Sequence, residues 1–338
     1  MTTSNALTDL LASKGVLLAD GATGTNLFAM GLEAGEAPEL WLETHPERIT
    51  KLHQDFVDAG ADIILTNSFG GTRHRLKLHH AADRVFALNK RAAEIARAVA
   101  DGAGRPVIVG GSVGPTGELL MPLGALTFED AVDAFTEQME GLKAGGADVA
   151  WIETMSSADE IRAAAEAAVK VGLPYIYTGS FDTAGKTMMG LHPKDILKPA
   201  AEVKEAPLAV GANCGVGASD ILSTLLDMTA ANPDAIIIVK GNCGIPEFRG
   251  SEIYYSGTPE LMADYVRLAR DGGARIIGGC CGTSCEHLKA MRGALDNYTP
   301  GPRPTLESIV EKIGPFRNKT AGEEVAGGGR ERGRRRGG

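Results

Sequence analysis

Five cysteines fall at positions 214, 243, 280, 281 and 285, and two of them are adjacent in RIIGGCCGT (275–283). Neighbouring cysteines do not readily close a relaxed disulfide on each other. Both can turn toward one ion, however, where Gly278, Gly279 and Gly282 free the backbone. Cys214 stands in GANCGVG (211–217), just after another apolar run. Three thiolates on a cation with one position left open describe a catalytic zinc site, Zn2+ at one per chain. Such an ion takes a substrate thiol and lowers its pKa while the electron-rich ligands keep the sulfur nucleophilic, so the chemistry expected is S-alkylation. The competing reading makes Cys280 and Cys281 small core residues at a strand end. Spacing alone leaves the two level, because the array is not of the C-x-x-C kind. Cys243 and Cys285 are secondary candidates, Cys285 falling where a last helix begins.

The elements that must position these thiols follow from a recurring phrase. DAGADIILTN (58–67), KAGGADVAWIET (143–154) and RDGGARIIGGCC (270–281) each run from a helix-ending Gly through a β-rich apolar stretch to polar or reactive residues. VLLAD, PVIVGGS, PYIYTGS, APLAVGANC and AIIIVKGNC bring the number of such runs to eight. Helical patterns lie between most of them, with start signals at Pro46, at Thr127, at Ser157 with Glu160 as a capping box, and at Thr258-Pro259-Glu260. Eight strands alternating with helices predict a single-domain α/β fold, a (β/α)8 TIM barrel over 1–295, with an open sheet as the alternative. Sites in that fold lie at the C-terminal ends of the strands. Here those ends carry Asp20, Thr66 with Asn67, Ser112, Glu153 with Thr154, Ser180, Asn213 with Cys214, Asn242 with Cys243, and Cys280 with Cys281.

Composition bounds the rest. The 338 residues are 43% hydrophobic, enough for a large core, and their formal net charge of −9 argues against general nucleic-acid binding. No stretch approaches the roughly 18 uninterrupted apolar residues of a membrane span, and the N-terminus lacks the layout of a signal peptide. The expectation is a cytoplasmic protein without membrane contact, a compartment in which cysteines act as ligands or nucleophiles more than as staples. RERGRRRGG (330–338) holds five Arg and one Glu, and with GEEVAGGG before it makes 319–338 an Arg/Gly-rich tail expected to be disordered. The favoured reading of the tail is a merely solvated segment, and its functional alternative is a weak RNA or anionic-surface contact. Residues 296–318 form a C-terminal extension, either a helix covering the barrel or an arm for assembly.

GGCCGT and GANCGVG occur together with DGATGTNL (20–27), TNSFGGT (66–72), GGSVGPTG (110–117) and WIET (151–154). In that order, over about residues 10 to 295, they closely resemble the zinc-dependent homocysteine S-methyltransferase family. That family includes betaine-homocysteine methyltransferases, S-methylmethionine-dependent enzymes and the homocysteine module of cobalamin-dependent methionine synthase. The resemblance implies a (β/α)8 barrel in which Cys214, Cys280 and Cys281 ligate zinc and the homocysteine sulfur completes the tetrahedron. It places the amino-acid end of homocysteine among Asp20, Glu153 and the Gly21-Ala22 turn, carboxylates for its ammonium and backbone N–H groups for its carboxylate. Asn213, Ser112 and Thr66 are expected to hold thiolates or substrate from behind.

The methyl donor divides the family. Betaine-using members enclose the trimethylammonium in aromatic rings. At two of those places this chain has Thr154 and Gly70, and Trp41 offers a wall only from several residues away. GNCGIPE (241–247) and YYSGTPELMADY (254–265) are similar to the methionine-synthase module. The favoured reading is therefore methionine formation from a methylated corrinoid carried by a separate protein. Betaine or a sulfonium is the alternative donor, and a zinc- or redox-sensing barrel the non-enzymatic one.

Three further features are weighed and set aside. TRHRLKLHHAADR (72–84) reads as a solvated, basic helix start rather than a second metal or phosphate site. GGSVGPTG lacks the Lys of a phosphate loop. His287 is assigned to the last helix, because as a fourth protein ligand it would close the catalytic position.

Overall fold

The computed structural model describes residues 5–317 apart from 245, 250, 251 and 297. The predicted tail lies outside the described residues. All eight anticipated apolar runs are strands: β1 (Leu17–Leu18), β2 (Ile63–Leu65), β3 (Ile108–Val113), β4 (Val149–Met155), β5 (Tyr175–Gly179), β6 (Val210–Cys214), β7 (Ile237–Gly241) and, after an antiparallel hairpin of β8 (Pro246–Arg249) and β9 (Glu252–Tyr255), β10 (Ile276–Gly279). The parallel sheet runs β1-β10-β7-β6-β5-β4-β3-β2, and a parallel bridge between Ala19 and Ile63 brings its two edges together. This is a (β/α)8 barrel.

The helices around it begin as their sequences direct. Pro46 takes the first turn of Pro46–Asp58, Thr127 caps Phe128–Ala144, and Thr258 caps Pro259–Asp271. Ser157 caps Ala158–Val171, but the capping box expected with Glu160 is incomplete. The Glu160 carboxylate instead accepts from the backbone N–H and hydroxyl of Thr116, at 2.8 and 2.7 Å, and so ties the loop after β3 to this helix.

Inside the barrel, Leu17, Ile63, Leu65, Ile108, Val149, Trp151, Ile176, Ile238 and Ile276 form one apolar cluster, stopped at the bottom by Leu7, Leu10 and Leu11 of the helix Ala6–Lys14. Because side chains alternate along a strand, the next inward position above this plug is Ser112 on β3, Glu153 on β4, Asn213 on β6 and Lys240 on β7. The layer that crowns the core is therefore polar. Residues Leu306–Ile313 of the C-terminal extension form a helix against Ala218–Ala231 and Pro259–Asp271, with Ile309 fully buried. Ser219 donates to the Gly314 carbonyl at 2.7 Å, fixing its end. The described part of the extension thus covers the barrel's flank.

Candidate active site

The sulfur atoms of Cys214, Cys280 and Cys281 lie within 4.8 Å of one another. They are brought together by strand geometry that a regular ladder does not provide. Cys214 ends β6 with φ 61°, and Thr154, near the end of β4, has φ 62°, both left-handed conformations that cost side-chain-bearing residues about 1–3 kcal/mol each. The β4–β5 register shifts between Ile152 and Met155, a local irregularity that re-aims the Glu153-Thr154 pair. After β10 the chain turns sharply through Gly282, at φ 80°, where a Cβ would collide with the ring of Tyr255. Cys280 N–H donates to the Gly241 carbonyl at 2.7 Å and Cys281 N–H to the Asn242 side chain at 3.0 Å, so backbone bonds hold both thiols in place.

Asn213 locks this arrangement. Its side-chain oxygen accepts from Thr154 N–H at 2.7 Å and from the Thr178 hydroxyl at 2.6 Å; its NH2 donates to the Thr154 hydroxyl at 2.7 Å and faces Cys280 Sγ at 3.8 Å. All five cysteines are free thiols. Crowding separates their proton affinities: hydrogen bonds from Cys214 and Cys280 pull Cys281 down to about 3, while contacts with Cys280 and Cys281 push Cys214 up. All three could ionise together only on a cation, and three soft sulfur donors suit a thiophilic one.

The cluster opens into a cavity of about 490 Å3 whose wall also includes Gly21, Ala22, Thr66, Ser112, Glu153, Thr154 and Lys240. Burial pushes the Glu153 carboxyl up to about 7, while the Lys240 ammonium opposes the shift; the Ser112 hydroxyl donates to it at 2.5 Å. Thr66 accepts from Ser112 N–H at 2.9 Å and so stands behind it. Asp20 is buried, one oxygen accepting from Lys240 at 2.7 Å and the other from Leu65 N–H at 2.7 Å. Ala22 N–H is also committed, to the Thr283 carbonyl at 3.1 Å.

Sequence reasoning passed over Lys240. It is 2% exposed and its ammonium lies 5.6 Å from the Trp151 ring centroid. A lone charge ending the apolar run AIIIVK was the available signal. Glu39 was missed as well: it is buried on the cavity wall, accepts from Gly70 N–H at 2.6 Å, and fills the space a side chain at position 70 would need. Trp41, weighed as a wall, is instead in the core, with the Arg48 guanidinium 4.8 Å from its ring centroid. Arg75, Leu78 and His79 line the cavity, so the basic stretch 72–84 is more than a solvated helix start. His287 bonds Ser284 and the Gly257 carbonyl and is not in the thiol cluster. Cys243 is buried apart, and Cys285 opens the helix Cys285–Leu295 that follows β10, as expected, although Leu306–Ile313 adds a later helix. Among the described residues, no helix is long and apolar enough to cross a membrane.

Known proteins resemble the chain in both sequence and shape. A family model described as homocysteine S-methyltransferase matches residues 17–295. The methionine synthase of Mycobacterium tuberculosis (strain ATCC 25618 / H37Rv) is 31% identical over 335 residues; the match covers 91% of this chain, which spans 27% of that relative's length. The homocysteine methyltransferase MmuM from Escherichia coli, in its metallated form, is 25% identical with a TM-score of 0.73, covering 86% of this chain and 99% of that one. Its oxidized form gives the same values.

Proposed function

The chain belongs to the homocysteine S-methyltransferase family, and on that premise we propose that it forms methionine by methylating homocysteine, with Cys214, Cys280 and Cys281 as ligands of one zinc ion. The observation that carries the reading is the convergence of three thiols, within 4.8 Å of one another, on a cavity that also holds a buried carboxylate at Glu153. When bound, zinc would supply a Lewis acid that favours the thiolate form of homocysteine at neutral pH. The likeness to a methionine synthase supports methionine as the product, and the likeness to a metallated methyltransferase supports a metal at the thiols.

The chain's own residues have separable tasks. Glu153, ionised, meets the substrate ammonium, and Ser112 holds that carboxylate in place from the barrel side. Asn213 fixes the backbone of Thr154 and, through its NH2, faces the cluster at Cys280. The homocysteine sulfur attacks the methyl carbon; the S–C bond forms as the bond to the donor breaks, and that electron pair leaves with the donor. A sensing barrel would need no carboxylate beside its thiols, which favours the enzyme.

For the donor, the favoured reading remains a methylated corrinoid. Its support is the withdrawal of Trp41 into the core and the absence of aromatic side chains at Thr154 and Gly70. A second reading, a betaine or sulfonium donor, has its own observation: Phe28, Phe69 and Tyr255 line the cavity and could face a methyl-bearing cation. Cytoplasmic location belongs to the same proposal.

The test is methionine formation by zinc-loaded protein and homocysteine with methylcobalamin, glycine betaine, dimethylsulfoniopropionate or S-methylmethionine. Turnover with methylcobalamin alone supports the first reading and turnover with a small cation the second. No methionine with any of them, or with a methylated corrinoid protein, contradicts the activity.

A further inference from the structure

The amino-acid end of homocysteine carries two charges, and the groups first expected to meet them are partly spent. Both Asp20 oxygens already have donors, and Ala22 N–H is bonded to Thr283. The Gly21-Ala22 turn is thus left with at most one N–H for a carboxylate. Lys240 is differently placed. It crowns the barrel on β7, is 2% exposed and lines the cavity. An ammonium has three donors, yet among the described residues Lys240 has one hydrogen-bond acceptor, Asp20 at 2.7 Å. A buried cation with unused donors facing a cavity is incomplete until an anion arrives.

We propose that Lys240 is the specificity-determining residue that receives the α-carboxylate of the thiol substrate. This rests on the homocysteine reading above and changes its geometry. Glu153 takes the ammonium, Lys240 the carboxylate, and the thiol turns to the cysteines. Asp20 then acts as a positioning residue, holding Lys240 against the Leu65 N–H instead of touching substrate. The arrangement selects amino-acid thiols over simple thiols and amines, because a ligand without a carboxylate leaves two of the ammonium's three donors without a protein or ligand acceptor.

The experiment is calorimetric binding to zinc-loaded protein of three thiols: homocysteine, 3-aminopropanethiol, which lacks the carboxylate, and 4-mercaptobutyrate, which lacks the ammonium. Lys240→Met alone would strand the buried Asp20 charge, so the main variant is Asp20→Asn with Lys240→Met, in which the introduced amide oxygen still accepts from Leu65 N–H. Circular dichroism and zinc content establish that each variant is folded. The expected result is about a 10–100-fold loss of homocysteine and 4-mercaptobutyrate affinity in the double variant, with 3-aminopropanethiol unchanged. Equal losses for all three ligands, or none, would overturn the assignment while leaving homocysteine binding by the unaltered protein intact. If the unaltered protein binds none of the three, the homocysteine reading fails and this one with it.

Discussion

Replacing Asn213 by Ala tests how the thiol cluster is held. The side chain is 1% exposed, and its loss strands the Thr154 N–H and the Thr178 hydroxyl, which have no other acceptor among the described residues. Each buried donor left unpaired costs about 1–3 kcal/mol, and a small cavity adds to that. Thr154 is meanwhile released from a left-handed conformation at φ 62°, which returns part of its strain. The net expectation is a destabilisation of about 3 kcal/mol, large against the roughly 5–15 kcal/mol typical of folded domains. Because Asn213 also faces Cys280 Sγ, zinc affinity should fall about 10–100-fold, the usual effect of losing a group that orients a ligand. Urea denaturation reads the first quantity as a lower midpoint at unchanged slope. Competition with a chromogenic chelator reads the second. A midpoint within error of the unaltered protein, together with unchanged zinc affinity, would refute the claim that Asn213 organises the site.

Other expectations follow from single residues. The Glu153 carboxyl sits at about 7 because burial favours its neutral form. A raised folded-state value means that its contribution to stability is present in acid and lost as pH climbs from the ordinary carboxyl range through about 7. Metal-free Glu153→Gln protein should therefore exceed the unaltered protein in stability above pH 7 by up to about 3 kcal/mol, yet bind homocysteine poorly at every pH. Equal thermal midpoints for the two in mildly alkaline buffer would contradict this. For the unaltered enzyme, KM for homocysteine should fall as pH rises through about 7, and a flat profile would exclude Glu153 as the ammonium partner. Gly282→Ala combines a Cβ at φ 80° with a clash against Tyr255; it should cost at least about 1–3 kcal/mol and deplete zinc, checked by denaturation and metal analysis.

Much of this architecture was legible in the sequence because it is local. The Gly-rich helix ends and the apolar runs after them mark strands whatever their neighbours are, and all eight formed. The alternation that puts Ser112, Glu153 and Asn213 above the core follows from the strand period alone. What escaped prediction depends on distant partners. Lys240 and Asp20 are 220 residues apart, and only barrel closure shows that a charge ending AIIIVK has somewhere to go. Glu160 was assigned to its own helix N-terminus, but Thr116, 44 residues away, competed successfully for its carboxylate. Trp41, weighed as a cavity wall, enters the core instead, and Glu39, to which the sequence pattern assigned no role, stands on the cavity wall.

The central claim is that Cys214, Cys280 and Cys281 together hold the ion at which homocysteine sulfur binds. X-ray absorption at the zinc edge, recorded before and after adding homocysteine, tests it most directly. The expected result is three protein sulfurs at about 2.3 Å rising to four sulfurs with substrate, and loss of stoichiometric zinc when any one of the three is changed to Ala. A spectrum that homocysteine leaves unaltered, or a Cys→Ala variant with full zinc content and undiminished turnover, would contradict it.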